Sequence, residues 1–222
     1  MKDKCKVINI SKKPGCCQIL LSNDEKVILS WDILKKYQLK KGSEIATEDL
    51  YEIKTESDLI RAENYCSYLL ARREYSSGML KSKLLSKSYD LDISNTVINK
   101  LKQALLVDDN RFARMAIEII LRNKPAGRAY LIAYLKSKYI SRELAETVVD
   151  EQLENIDEKE LAERLLKRRF RQYLKFDLET ARRKAYNYLS RRAIGYGAAK
   201  FAFEKICREE QVFNEKNEEL DN

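Results

Sequence analysis

The chain has 222 residues, of which 44% are hydrophobic and 35% charged, with only 6 glycines and 2 prolines, a balance that favours helices over sheet or disorder. Its formal net charge is +8, it contains no histidine, and it carries 5 cysteines. The missing histidine removes the commonest general base and leaves too few ligands for a structural zinc, and no apolar run reaches the roughly eighteen residues of a membrane-spanning helix.

An odd cysteine count without signal-peptide character at the N-terminus predicts reduced thiols and a cytoplasmic protein that needs no metal or cofactor.

Residues 1–56 predict a small β-rich segment. Cys17–Leu21 and Lys26–Ser30 are short apolar runs flanking the polar stretch Ser22-Asn23-Asp24-Glu25, which reads as a hairpin. A short helix fits Trp31 to Tyr37, Lys41-Gly42-Ser43 reads as a turn, and Glu44–Tyr51 reads as returning extended chain.

From Ser57 onward the periodicity is helical and repeats three times, at 57–107, 108–156 and 157–208, a period of about fifty residues. Ser57, Asp108 and Asp157 read as N-caps ahead of Leu59–Ala62, Phe112-Ala113 and Leu161-Ala162. The second matching stretch is Lys83–Lys87, then Tyr134–Lys138, then Tyr188–Arg192, and a further cap follows at Asp90, Ser141 and Gly195. Ser76-Ser77-Gly78 marks a break before the second helix of the first copy. Asn123-Lys124-Pro125 reads as a cap followed by a first-turn proline, with Asp177 as its counterpart.

Core positions predicted from the spacing include Leu80, Leu84, Ile93, Val97, Ile98, Leu101 and Leu105 in the first copy. They include Ala116, Ile119, Ile120, Leu131, Leu135 and Val148 in the second, and Leu165, Leu166, Leu174, Leu189, Ala202 and Ile206 in the third. The expectation is a mainly α fold of nine helices, as three tandem three-helix repeats of winged-helix-like size in an elongated, curved array, with a small N-terminal β-hairpin segment.

Charge is distributed unevenly. Between Leu161 and Arg208 fourteen lysines and arginines face four acids, a surplus of ten, while the tail 209–222 is acidic. Such a density on one module predicts an anionic partner, nucleic acid first, although a charge run on a helix is commonly only a solvated face. The candidate basic face comprises Arg72, Arg73, Arg122, Lys124, Arg128, Arg168, Arg169, Arg171, Arg182, Arg183, Arg191 and Arg192. Phe170, Tyr173, Tyr186, Tyr188 and Tyr196 lie among these cations and could stack on bases, but their helical spacing suits core positions better.

Asp108 and Asp109 could be metal ligands or catalytic acids, yet they lack a third acidic or histidine neighbour. A cap and a first-turn anion at a helix N-terminus explain them more simply. Phosphate-binding loops, dinucleotide fingerprints, nucleophile elbows and zinc signatures are all missing, so no enzyme is predicted.

The stretches Leu69–Ser76, 80–87 and above all Leu106-Val107-Asp108-Asp109-Asn110-Arg111-Phe112-Ala113 resemble the RecX family of recombinase regulators. Gly127 and Leu131–Ile140 are similar to that family's second repeat, and the likeness covers roughly residues 57–208. The N-terminal hairpin looks like the extra segment of many Gram-positive members. Within the motif, Asp108, Asp109, Phe112 and Ala113 are structural.

The resemblance implies a monomeric, non-enzymatic modulator that lies in the groove of the RecA filament on single-stranded DNA. Such a protein bridges protomers and restrains strand exchange, ATP turnover and co-protease activity. Two rivals stand beside it: a stand-alone helical duplex-DNA-binding regulator, and a scaffold that binds acidic protein surfaces.

Overall fold

The computed structural model describes residues 4–173 and 175–220, with side chains as far as Glu210. Leu174 and most of the acidic tail's side chains lie outside the described residues. Two compact units divide the chain, Met1–Asp108 and Asp109–Asn222.

The first unit begins with a four-stranded antiparallel sheet of order β3-β2-β1-β4. Strands β1 (Lys4–Lys13), β2 (Cys16–Leu21) and β3 (Lys26–Leu29) form a meander, and the short β4 (Glu44–Ala46) returns to pair Lys4 with Ala46. The predicted hairpin is the β2–β3 pair, with Cys17 opposite Leu29 and Ile19 opposite Val27. The sequence reading passed over β1, because a bulge between Val7 and Asn9 interrupts its alternation and turns Ile8 outward. Cys17, Ile19, Leu21, Val27 and Leu29 share the buried face. They pack on Ile33 of α1 (Trp31–Lys36) and on Leu50 and Ile53 of α2 (Thr47–Leu70).

Helix α2 corrects two expectations. Only Glu44–Ala46 is extended, and Thr47–Tyr51 is already helical, with Glu48 and Asp49 in the first turn where the helix dipole favours acids. Ser57 is not a cap but a fully buried residue in mid-helix. Its hydroxyl accepts from the Ser30 N–H at 2.8 Å, while the Ser30 hydroxyl caps α1 by accepting from the Ile33 N–H at 3.3 Å. A hydroxyl occupied by a distant donor no longer competes for its own backbone, so the helix runs through it. The first half of α2 thus covers the sheet, and the second half supplies Ala62, Cys66 and Leu69 to the first repeat.

That repeat is completed by α3 (Ser77–Leu85) and α4 (Leu91–Gln103). Ser76 caps α3, accepting from the Met79 N–H at 3.1 Å, and Asp90 sits at the N-cap of α4. Leu80, Leu84, Ile93, Val97, Ile98 and Leu101 form the core as predicted. Leu105 does not, because it takes the left-handed conformation that ends α4 and points outward.

The second unit holds α5 (Asp109–Asn123), α6 (Arg128–Ser137) and α7 (Arg142–Leu153). It continues with α8 (Glu158–Lys167), the single turn α9 (Phe170–Tyr173), α10 (Leu178–Ser190) and α11 (Tyr196–Leu220). Asp108 immediately precedes α5, while Ser141, Asp157 and Asp177 cap through the N–H groups of Leu144, Lys159 and Thr180. Asn123 is the last residue of α5 rather than a cap. Helix α5 stops short of Lys124, in keeping with the aversion to helix of a residue that precedes proline, so Pro125 lies in the connection and Gly127 occupies the N-cap of α6. Ile117, not Ile119, is the buried isoleucine of α5. Among the described residues there are eleven helices: the predicted short helix α1, the nine expected of the repeats, and the additional single turn α9.

Each repeat turns from its second helix to its third in the same way. Ser88, Tyr139 and Ala193 adopt φ of 63°, 61° and 55°. The next residue's N–H then reaches back five positions, from Tyr89 to the Leu84 carbonyl, Ile140 to Leu135 and Ile194 to Leu189, at 3.1 to 3.2 Å. This Schellman closure satisfies late carbonyls and delivers the chain to Asp90, Ser141 and Gly195.

Candidate nucleic-acid interface

Folding sorts the predicted basic residues into different tasks. Arg72 and Arg73 belong to the first unit, where they lie over the rings of Tyr68 and Tyr75 at 4.7 and 4.0 Å. The other ten belong to the second unit.

Several cations are engaged at the C-terminal end of α5, which presents orphan carbonyls and the negative end of the helix dipole. The Ile120 carbonyl accepts from the Lys124 N–H at 2.9 Å. Arg164 donates to the carbonyls of Leu121 at 3.1 Å and Arg122 at 3.4 Å, and Arg168 donates to that of Asn123. Arg192 donates to the carbonyls of Lys124 and, at 3.1 Å, Pro125, while its guanidinium lies 4.3 Å from the centre of the Tyr130 ring. Its own carbonyl accepts from the Gly127 N–H at 2.8 Å, so the chain passes so close that a Cβ on Gly127 would sit 2.0 Å from the Ala193 carbonyl oxygen. Arg192 is 8% exposed and is therefore withdrawn from the binding face proposed for it on sequence grounds.

Other predicted cations also have local partners. Arg128 makes a two-pronged bond to Asp150 at 2.6 and 2.8 Å, which raises the guanidinium pKa and lowers that of the carboxyl. Arg169 lies over Tyr188 at 4.4 Å, and the Arg191 side chain bonds the Asn187 carbonyl of its own helix at 3.2 Å. Arg122, Lys124, Arg171, Arg182 and Arg183 are exposed, the last three in the third repeat.

Of the interleaved aromatics, Phe170, Tyr173 and Tyr188 are core. Tyr196 is 69% exposed and meets Tyr186 edge-on at 5.4 Å. Phe112 and Ala113 are buried in α5. Sequence reasoning missed Arg164, whose i, i+4 spacing to Arg168 was the available signal, and Glu158, whose carboxylate accepts from the Gly195 N–H at 3.0 Å. Among the described residues no group of three Cys, Asp or Glu side chains could hold a metal ion, and no helix is long and apolar enough to cross a membrane.

Comparison with known proteins gives this arrangement a lineage. The family model for the first three-helix domain of RecX matches residues 62–101, which is the C-terminal end of α2 with α3 and most of α4. The regulatory protein RecX of Syntrophotalea carbinolica is 33% identical over 135 residues, covering 59% of this chain and 85% of that protein. The chain belongs to the RecX family. The RecX of Streptococcus sanguinis is 24% identical over 212 residues, covering 95% of this chain and 81% of its own, so the likeness extends into the N-terminal sheet. A crystal structure of regulatory protein RecX shares the fold with TM-score 0.62 at 19% identity, covering 90% of this chain and 99% of that one. RecX from Lactobacillus salivarius does so with TM-score 0.56 at 18% identity, covering 67% and 96%.

Proposed function

We propose that this RecX-family chain is a non-enzymatic regulator, acting as a monomer, that docks on the RecA filament assembled on single-stranded DNA and restrains its recombinase, ATPase and co-protease activities. Membership of a family whose relatives are named regulatory proteins carries the reading. The repeats 57–107, 108–156 and 157–208 are its working modules, the 1–56 segment is attached to the first of them through α2, and the acidic tail 209–222 begins within α11 of the third.

Third-repeat charge supports the choice of partner. Once Arg164, Arg168 and Arg192 are assigned to helix carbonyls, the contacts fall to exposed side chains, Arg171, Arg182 and Arg183 foremost. Phosphate neutralisation by such residues makes binding fall steeply with salt.

Titrating the chain into RecA-driven strand exchange and ATP hydrolysis tests the reading. Inhibition near stoichiometric ratios to protomers, relieved in the Arg171→Ala/Arg182→Ala/Arg183→Ala variant, is expected. Unchanged strand exchange, together with tight sequence-preferring binding to duplex without RecA, would instead establish a stand-alone DNA-binding regulator.

A further inference from the structure

Residues of helices α10 and α11 line an open groove of about 640 Å³, within the roughly 300–1,000 Å³ of ordinary ligand sites. Its walls differ in chemistry from the rest of the third repeat. Leu178 at the start of α10 is 70% exposed and Tyr196 at the start of α11 is 69% exposed, although both are large apolar groups. Tyr196 is the outermost ring of an edge-to-face series that runs through Tyr186, at 5.4 Å, to Phe203, at a further 6.0 Å. The inner rings are braced by packing, so the outer one is held in place while its surface remains open.

Charge completes the pattern. Arg182, Lys200 and Arg208 line the same groove against the single carboxylate of Glu204, which lies 3.9 Å from Lys200. Cys207, which also lines it, adds no negative charge, because burial and then Glu204 push the thiol up from its ordinary value. Burial likewise pushes the Tyr186 hydroxyl up from its ordinary value. A fixed aromatic platform, an exposed leucine and a net surplus of cations together match one ligand chemistry, an unpaired base with its phosphate. A paired base hides its faces within the stack, whereas a single strand offers them.

We infer that the α10–α11 groove is a nucleotide subsite for single-stranded nucleic acid, in which a base stacks on Tyr196 beside Leu178 and its phosphates lie between Arg182, Lys200 and Arg208. The inference rests on the reading that the third repeat faces nucleic acid, and it goes beyond that reading by locating one subsite and fixing a preference for unpaired bases.

The test uses the full chain without RecA and reads the fluorescence anisotropy of labelled oligothymidylate, oligouridylate and a duplex of equal length across salt. Both single strands should bind more tightly than the duplex, and a difference between them tells whether the sugar is also read. Tyr196→Ala should weaken single-strand binding about 5- to 150-fold while Tyr196→Trp retains it. Arg182→Ala should reduce the slope of log affinity against log salt by about 0.7. Leu178→Glu, at an exposed position, supplies a second loss-of-binding variant whose folding is checked by circular dichroism.

Single-strand affinity unchanged in both Tyr196→Ala and Leu178→Glu overturns the inference, as does equal affinity for duplex or displacement of the strand by polyglutamate at matched charge. Running the same variants on RecA filaments separates the two readings. Filament binding by the parent chain, with no oligonucleotide binding by that same chain, refutes the groove alone, whereas groove-dependent oligonucleotide binding with no effect on RecA refutes the filament reading alone.

Discussion

Arg192 shows how a single side chain can read as function in sequence and serve structure in the fold. In the chain it is the last cation of a dense basic run, yet folded it joins the end of α5 to the end of α10 through two carbonyls and an aromatic face. Hydrogen bonds to a charged donor contribute about 1.5–3 kcal/mol each, so Arg192→Ala should lower unfolding stability by about 2–4 kcal/mol in urea denaturation. Arg192→Lys should recover less than half of that loss, because an ammonium cannot match the planar fork. Gly127→Ala should cost about 3 kcal/mol for a different reason, the clash of its Cβ with the Ala193 carbonyl.

Asp177 is the complementary case, a cap that could be read directly from sequence. Its carboxyl is held below the ordinary value, first by the Thr180 N–H it caps. A depressed carboxyl stabilises above its unfolded pKa and loses that contribution as pH falls through the folded one. Thermal melting should therefore show Asp177→Ala less stable than the parent at neutral pH. The two should converge once the pH falls below the folded value, which lies under the ordinary 3.8, while Asp177→Asn keeps its cap at every pH and so matches the parent at neutral pH but not in acid.

Helix starts were more legible than helix ends, and the reason is chemical. A side-chain cap needs an oxygen and so leaves a mark in sequence, as Ser76, Ser141, Asp157 and Asp177 did. The left-handed closures normally announced by glycine are made here by Ser88, Tyr139 and Ala193 in the three repeats, and also by Gln38 after α1 and Leu105 after α4. An L-residue pays about 1–2 kcal/mol to adopt that conformation. Ser88→Gly should therefore raise stability by about 1 kcal/mol, read as a higher urea midpoint with an unchanged slope, and a lower midpoint would contradict the account.

The start of α2 was illegible for the converse reason. Ser57 resembles a cap, and only the partner 27 residues away, the Ser30 N–H, reveals its use. Long-range polar contacts of this kind have no local signature, and neither had the bulge that disguised β1.

At the scale of the whole molecule, the repeats explain stability and the differences among them point to function. All three share caps, leucines and the left-handed turn, but the third alone concentrates positive charge. The arginines nearest the repeat 2–repeat 3 junction are spent on α5, so charge density in sequence overstated the surface left for a ligand. The mainly helical class, the repeats and the N-terminal hairpin followed from periodicity, and the family followed from the motif around Asp108 and Phe112. Which cations face outward did not follow, because that depends on carbonyls supplied by another helix.

The most direct test of the central claim is equilibrium binding of the full chain to pre-formed RecA filaments on single-stranded DNA, compared with free single strand and free duplex over a salt series. The account predicts that the filament is bound most tightly, and that Arg171→Ala/Arg182→Ala/Arg183→Ala weakens this binding and flattens its salt dependence. Filament binding by that variant equal to the parent's, or duplex binding without RecA as tight as filament binding, would contradict it.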